Sequence, residues 1–187
     1  MALGIGTQNY TCSEESTTPT PNGAIATLYD ISCTVATVPS AAHCLSALAL
    51  KAGAHSGYPP IPFGMGYEEI GTHYFSPDSK TAIFKFDLNS QSFEFAGGRL
   101  ENIPAPYDAV TGTVDWLKLG RTPELESQSC SIQWVYRVFT AGGKAPGTCM
   151  GLQQEHTVDY VTEYCEYIVK KSSSRHFSGA VSLITVE

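Results

Sequence analysis

Histidine is the side chain best suited to proton transfer near neutral pH, because its ordinary pKa is about 6.5. Five are present: His43, His55, His73, His156 and His176. No His-Glu-x-x-His sequence arranges two of them as ligands of a catalytic zinc ion. We single out His73 as a candidate general base or ligand. The simpler interpretation of His73 is a buried ring that hydrogen-bonds a backbone carbonyl at a strand end.

Carboxylates offer a second kind of chemistry. Asp115 precedes a tryptophan in an apolar segment, and burial there would raise its pKa and make it a candidate acid. With Asp87, Glu94 or Asp108 it can form the carboxylate pair that glycosidases use. Strand alternation gives a simpler prediction, in which Asp115 faces solvent while the valine and tryptophan beside it face the core.

If the chain is an enzyme that works at the mouth of a barrel, His73, Asp115 and Arg137 are the residues to suspect. Other catalytic motifs are missing from the sequence, since it has no Gly-x-Ser-x-Gly elbow and no Walker A segment. The even number of cysteines argues against a free nucleophilic thiol. We expect no cofactor and no metal ion, and we favour a protein that is not an enzyme.

Six cysteines with irregular spacing favour disulfide bonds. They are Cys12, Cys33, Cys44, Cys130, Cys149 and Cys165. The absence of any Cys-x-x-Cys pair argues against a zinc ribbon or a thioredoxin-like redox motif. Three disulfides are predicted, and spacing alone does not choose among the roughly fifteen pairings that six cysteines allow.

The segment 53–66 is the most unusual stretch of the sequence. It is too rich in proline and glycine for a helix or an interior strand, yet it carries large apolar side chains. Its prolines favour a stiff extended conformation, which loses little entropy when it docks on a partner. Folding back over a barrel mouth as a lid is the alternative. The predicted partner-binding residues are Tyr58, Pro59, Pro60, Ile61, Pro62, Phe63 and Met65.

Short alternating apolar runs predict an all-β fold. Strands are expected at residues 24–32, 81–88, 91–96, 110–119, 131–140, 158–169 and 180–186. Residues 81–88 and 91–96 should form a hairpin across a two-residue turn. The only helix is expected at residues 40–51. We therefore predict a single domain over residues 1–187, an antiparallel β-sandwich or barrel with one short helix and long loops.

Composition restricts the partners and the compartment. A net charge of −7 argues against nucleic acids and anionic membrane surfaces. Charged residues make up 16% of the chain, below the typical value of about 25%. Together with the cysteines, this favours an extracellular protein, so we interpret Met1 as a start placed on a mature secreted chain that lacks its signal peptide. Asn9 begins an N-glycosylation sequon.

Five segments carry a family resemblance. They are residues 6–12 (GTQNYTC), 71–77 (GTHYFSP), 114–119 (VDWLKL), 136–146 (YRVFTAGGKAP, followed by Cys149) and 160–164 (YVTEY). Their order and spacing resemble an uncharacterised family of secreted fungal and bacterial proteins, many of whose fungal members are labelled malate dehydrogenase. We reject that label, because Gly-x-Gly-x-x-Gly between a strand and a helix is missing.

The resemblance also implies a disulfide map. Bacterial relatives typically keep only the equivalents of Cys12 and Cys149, which implies that these two pair. The remaining predicted bonds are then Cys33 with Cys44, which closes a short local loop, and Cys130 with Cys165, which links two late strands.

The resemblance to fungal members implies a virulence effector that acts between fungus and host. We expect a monomeric, disulfide-stabilised glycoprotein that binds a host extracellular protein. Inhibition of a papain-like cysteine protease, or of another secreted protease, through segment 53–66 is the specific hypothesis. The alternative is a carbohydrate-binding or hydrolytic protein with a pocket at the barrel mouth.

Overall fold

A computed structural model of the chain describes residues 1–13, 18–54, 66–88, 90–122 and 132–168. Within these residues, eight antiparallel strands close into a barrel. Each strand pairs with the next along the chain, and the last returns to pair with the first. The strands are β1 (Ala2–Thr11), β2 (Thr20–Asp30), β3 (Glu69–Phe75), β4 (Ala82–Leu88), β5 (Gln91–Ile103), β6 (Trp116–Arg121), β7 (Ile132–Gly142) and β8 (Glu155–Ile168). The predicted all-β antiparallel fold is confirmed, and it is a barrel rather than a sandwich.

The barrel interior is filled by the chain's own side chains. Alternate residues of each strand point inward and meet in one apolar cluster. Its buried members are Ala2, Leu28, Ile70, Ala82, Phe84, Phe86, Phe95, Leu119, Ile132, Val135 and Tyr164. An eight-stranded barrel is just wide enough for side chains of this size to fill it.

A layer of short helices covers part of the outer face. The chain between β2 and β3 forms α1 (Ser32–Thr37), a 3₁₀ helix (Pro39–His43) and α2 (Leu45–Lys51). α2 packs on β7 and β8, and its Leu45 and Ala49 join outward-facing Leu3 and Val161 in a second apolar cluster. No helix in the described part of the chain is long and apolar enough to cross a membrane.

The disulfide Cys12–Cys149 joins the end of β1 to the segment between β7 and β8. Its two Cα atoms lie 5.5 Å apart and 137 residues apart in sequence. The pairing that the family resemblance implied is confirmed. A bond that closes so long a stretch of chain strongly restricts the unfolded state.

The predicted pairing of Cys33 with Cys44 is wrong. Both thiols are free and exposed, and the Cys44 Sγ faces the carbonyl oxygen of Ala41 in its own helical turn, at 3.5 Å. Cys165 also carries a free thiol, so its predicted bond is not formed. Cys130, the predicted partner of Cys165, lies outside the described residues. Burial raises the pKa of Cys165 to about 12, so its thiol stays protonated at neutral pH.

The predicted hairpin is confirmed by β4 and β5, in which Leu88 pairs with Gln91 across the turn. The predicted helix at 40–51 is right only for its second half, because Pro39–His43 is a separate 3₁₀ helix and α2 begins at Leu45. The predicted strand at 110–119 begins only at residue 116, after a segment of turns.

The strand predicted at 158–169 is observed as β8, which begins earlier, at Glu155. The strand expected at 180–186 lies outside the described residues. The alternation of apolar and polar residues did not predict the strands β1 and β3. Both contain glycines at positions where a side chain would show the pattern: Gly4 and Gly6 in β1, and Gly71 in β3.

Gly6 fixes how closely β1 approaches β2. A Cβ atom on Gly6 would overlap the carbonyl oxygen of Ile25 and lie 2.6 Å from the Cα atom of Ala26. Because these neighbours are backbone atoms of a central ladder, relief would require the two strands to separate.

We predict that Gly6→Ala lowers the free energy of unfolding by about 3 kcal/mol or more. Denaturant titration followed by far-UV circular dichroism measures this loss. Gly147→Ala is the matched control, since a Cβ atom there meets nothing within 4 Å. Equal stability of the two variants would contradict the strand spacing described above.

Candidate functional site

His73 lies in β3 with its ring inside the barrel, and it is only 3% exposed. Its Nδ1 atom lies 2.9 Å from the carbonyl oxygen of Ile83, so the neutral ring donates its Nδ1 proton there. One face stacks on Phe84 with ring centroids 4.2 Å apart, and Tyr164 presents its edge at 5.5 Å. This is the arrangement that the simpler interpretation of the sequence predicted.

Burial lowers the pKa of His73 to about 4, because the interior disfavours a charged imidazolium. The bond to Ile83 opposes the shift, and the positive charge of Arg137 adds to it. His73 is therefore neutral at physiological pH and enclosed by aromatic rings. In this position it stabilises the core and does not face a solvent-filled cleft.

Arg137 and Asp115 meet near one end of the barrel. The Arg137 Nη2 atom donates to the backbone carbonyl oxygen of Asp115 at 2.8 Å. The Asp115 carboxylate is exposed and accepts a hydrogen bond from the Asn102 side-chain amide, also at 2.8 Å. Asp115 therefore faces solvent, as predicted, although it precedes β6 and is not part of the alternation of that strand. It contributes its main chain rather than its carboxylate to Arg137.

The prediction that the tryptophan beside Asp115 faces the core is wrong. Trp116 begins β6, and the inward positions of that strand belong to Leu117 and Leu119. The Trp116 ring lies on the outer face, where it meets the edge of Phe139 at 5.1 Å. The other carboxylates considered with Asp115 lie on separate segments. Asp87 is in β4, and Glu94 is in β5, where it pairs with Lys85 of β4. Asp108 is in the turns after β5.

Three tyrosines line the same end of the barrel. The hydroxyls of Tyr160 and Tyr164 lie 2.7 Å apart and share a hydrogen bond. The Tyr10 hydroxyl donates to the carbonyl oxygen of Gly143 at 2.5 Å. Sequence reasoning missed this cluster as a site, although positions 160 and 164 have the even spacing that puts both on one face of a strand.

Glu163 is the second feature that sequence reasoning missed. It faces outward from β8, opposite Leu3 and Val138, on the strand against which α2 packs, and it is fully buried. Neither carboxyl oxygen has a hydrogen-bond partner among the described residues. Burial raises the pKa of Glu163 to about 8, so the carboxyl stays protonated at neutral pH.

The remaining site predictions have no structural outcome. The partner-binding residues of segment 53–66, from Tyr58 to Met65, lie outside the described residues. Asn9 lies in β1, where its Oδ1 accepts a hydrogen bond from the Thr7 hydroxyl at 2.9 Å. The described part of the chain contains no group of three or more His, Cys, Asp or Glu residues that could hold a metal ion.

These features define a closed eight-stranded barrel with a filled interior, a helical cover on one side and polar groups near one end. Residues 1–168 match the family described as "Protein of unknown function (DUF3455)", and the chain belongs to that family. No curated protein and no solved structure matches the chain.

The Glu163 carboxyl should make the stability of the barrel depend on pH. Between an ordinary pKa of 4.5 and the folded-state value of about 8, the unfolded chain ionises this carboxyl and the folded chain does not. Stability attributable to Glu163 therefore falls as the pH rises through this interval. At about 1.4 kcal/mol per pH unit, the loss has an upper bound of about 5 kcal/mol.

We predict that Glu163→Gln is more stable than the wild type at pH 9 and nearly equal to it at pH 4.5. Urea titrations at the two pH values measure the difference. Glu155→Gln, which changes an exposed carboxylate in the same strand, is the control and should show no such pH dependence. If Glu163→Gln raises the free energy of unfolding equally at both pH values, Glu163 does not have a raised pKa in the folded protein.

Proposed function

We propose that this chain is a binding protein whose barrel serves as a rigid support, and not an enzyme that works through the barrel interior. The observation that carries the proposal is the filled interior. His73, the best candidate base, donates to Ile83 and is enclosed by Phe84 and Tyr164, which leaves no room for a substrate beside it.

Recognition is proposed for segment 53–66, and the residues at its two ends support this. Ala54 is buried, and its amide donates to the carbonyl oxygen of Ala49 at 3.0 Å. On the other side, Tyr67 packs against the helical layer, and its hydroxyl lies 3.3 Å from the Thr34 Oγ1 atom. Anchored ends reduce the entropy that a connecting segment loses when it binds.

The finer proposal is a secreted fungal effector that inhibits a host papain-like protease or another secreted protease as a monomer. The disulfide Cys12–Cys149 supports an oxidising compartment, since such bonds persist mainly outside the cytosol. A disulfide-bonded barrel also suits a proteolytic environment. Glycosylation at Asn9 belongs to the same proposal.

A second candidate function is carbohydrate binding or hydrolysis at the barrel mouth. Arg137 favours it, because its guanidinium reaches the barrel end and contacts Asp115 there. Hydrolysis would require His73 or the Asp115 carboxylate to take part. Loss of a measured glycosidase activity in Asp115→Asn would support this candidate over the first.

We predict that the protein inhibits a papain-like protease in a titration with a fluorogenic peptide. The triple variant Tyr58→Ala/Ile61→Ala/Phe63→Ala should weaken inhibition about 100-fold or more, because buried aromatic and aliphatic anchors dominate such interfaces. The control is Ile25→Ala/Ile103→Ala/Tyr107→Ala, which removes three apolar side chains that are 54%, 54% and 102% exposed elsewhere on the barrel.

The control should inhibit as well as the wild type. Unchanged activity of papain-like, serine and aspartic secreted proteases in the presence of the wild-type protein would contradict the proposal. Full inhibition by the Tyr58/Ile61/Phe63 variant would contradict the role of segment 53–66.

A further inference from the structure

Near its start, β2 contains a bulge in which two of its residues lie opposite one residue of β1. The register of the two strands shifts at this point, so that Asn22 and Gly23 together face Asn9. Such a bulge takes its extra residue out of the regular ladder of main-chain hydrogen bonds. The Asn-Gly sequence therefore lies in a local irregularity of the strand and not in its evenly paired part.

The shape of this bulge favours glycine at position 23. The φ angle of Gly23 is +104°, in the left-handed region that other residues rarely adopt. A Cβ atom on Gly23 would also lie 3.3 Å from the Cβ atom of Phe75. The fold thus places directly after Asn22 the residue type that has no side chain to hinder its main-chain nitrogen.

The hydroxyl of Ser79, from the turn between β3 and β4, lies against the Asn22 side chain. The Ser79 Oγ atom donates to Asn22 Oδ1 at 3.1 Å, and it lies 3.5 Å from the main-chain carbonyl oxygen of Asn22. The same hydroxyl therefore contacts the side-chain amide and the peptide group that joins Asn22 to Gly23. Asn22 is exposed, so water reaches it.

We infer that Asn22 and Gly23 form a site of spontaneous deamidation through a cyclic imide, and that the Ser79 hydroxyl assists the reaction. The Gly23 nitrogen loses its proton to a base in solvent and attacks Asn22 Cγ, which places negative charge on Oδ1. The Cγ–Nδ2 bond then breaks, and Nδ2 takes up protons from water and leaves as ammonia. Water opens the imide ring at one of its two carbonyl carbons, which gives aspartate or isoaspartate.

Two features of the structure favour this reaction at a residue type that is chemically labile. The nucleophile and the carbonyl carbon belong to neighbouring residues, so the reaction avoids the entropy of bringing two molecules together. The Ser79 donor already points at the oxygen on which negative charge develops. Either product adds a negative charge beside Ser79, and isoaspartate also adds one carbon atom to the main chain of β2.

The inference does not depend on protease inhibition or carbohydrate binding. Its test incubates the folded protein in H₂¹⁸O at pH 7 and at pH 9 and follows each asparagine by peptide mass mapping. The ¹⁸O label marks carboxyl groups that form during the incubation, and a protein isoaspartyl methyltransferase assay detects isoaspartate. We expect Asn22 to convert faster than Asn102, and faster at pH 9, since the nitrogen attacks without its proton.

Ser79→Ala should slow the conversion of Asn22 about threefold to tenfold, which corresponds to the loss of one hydrogen bond. Ser79→Gly should have the same effect and suits the φ angle of +56° at this position. Ser76→Ala is the matched control and should convert like the wild type, because its hydroxyl, in the same turn, donates to Asp78. Asn22→Gln should not convert measurably, because its imide ring would need one more atom.

Urea separates the effect of the fold from that of the local sequence. In urea that unfolds the protein, the contact of Ser79 with Asn22 is lost, so the wild type and Ser79→Ala should convert at the same rate.

Three results would overturn the inference. The first is a folded protein that keeps the Asn22 amide while the unfolded chain deamidates. The second is conversion of folded Ser79→Ala and Ser79→Gly at the wild-type rate. The third is a difference between the wild type and Ser79→Ala that persists in urea.

Discussion

The pairing of β1 with β8 is the constraint on which the structure depends. It runs without a break from Ala2 opposite Tyr164 to Thr11 opposite Glu155, and it closes the sheet on itself. Closure removes the free strand edges that an open sheet would expose. On its other side β1 lies so close to β2 that Gly6 cannot carry a side chain.

A closed barrel of eight strands has to fill its interior, and polar groups taken inside need partners. His73 and the Tyr160–Tyr164 pair satisfy this requirement with bonds inside the protein. Arg137 and Glu163 do so incompletely, one on the inner face of the sheet and one on its outer face. A protein keeps such groups at a cost to stability, so these two are the places where function or regulation is best sought.

The sequence was sufficient for the fold class, because alternation and turn chemistry act locally, as in the β4–β5 hairpin. It could not place Trp116, whose direction depends on where β6 begins, or Cys33, whose bonding depends on helix geometry. Glu163 was missed because it lies on the outer face of β8, where burial depends on which other parts of the chain cover that face. The exposure of Asp115 was predicted correctly, but for the wrong reason, since Asp115 precedes β6 and lies outside the alternation of that strand.

The central claim is that the barrel interior is sealed around His73, and NMR of the imidazole nitrogens between pH 3 and pH 8 tests it most directly. The account predicts a neutral ring with its proton on Nδ1, bonded to Ile83, that titrates only at about pH 4. A midpoint near the ordinary value of 6.5 would show that the ring reaches solvent and would contradict the account.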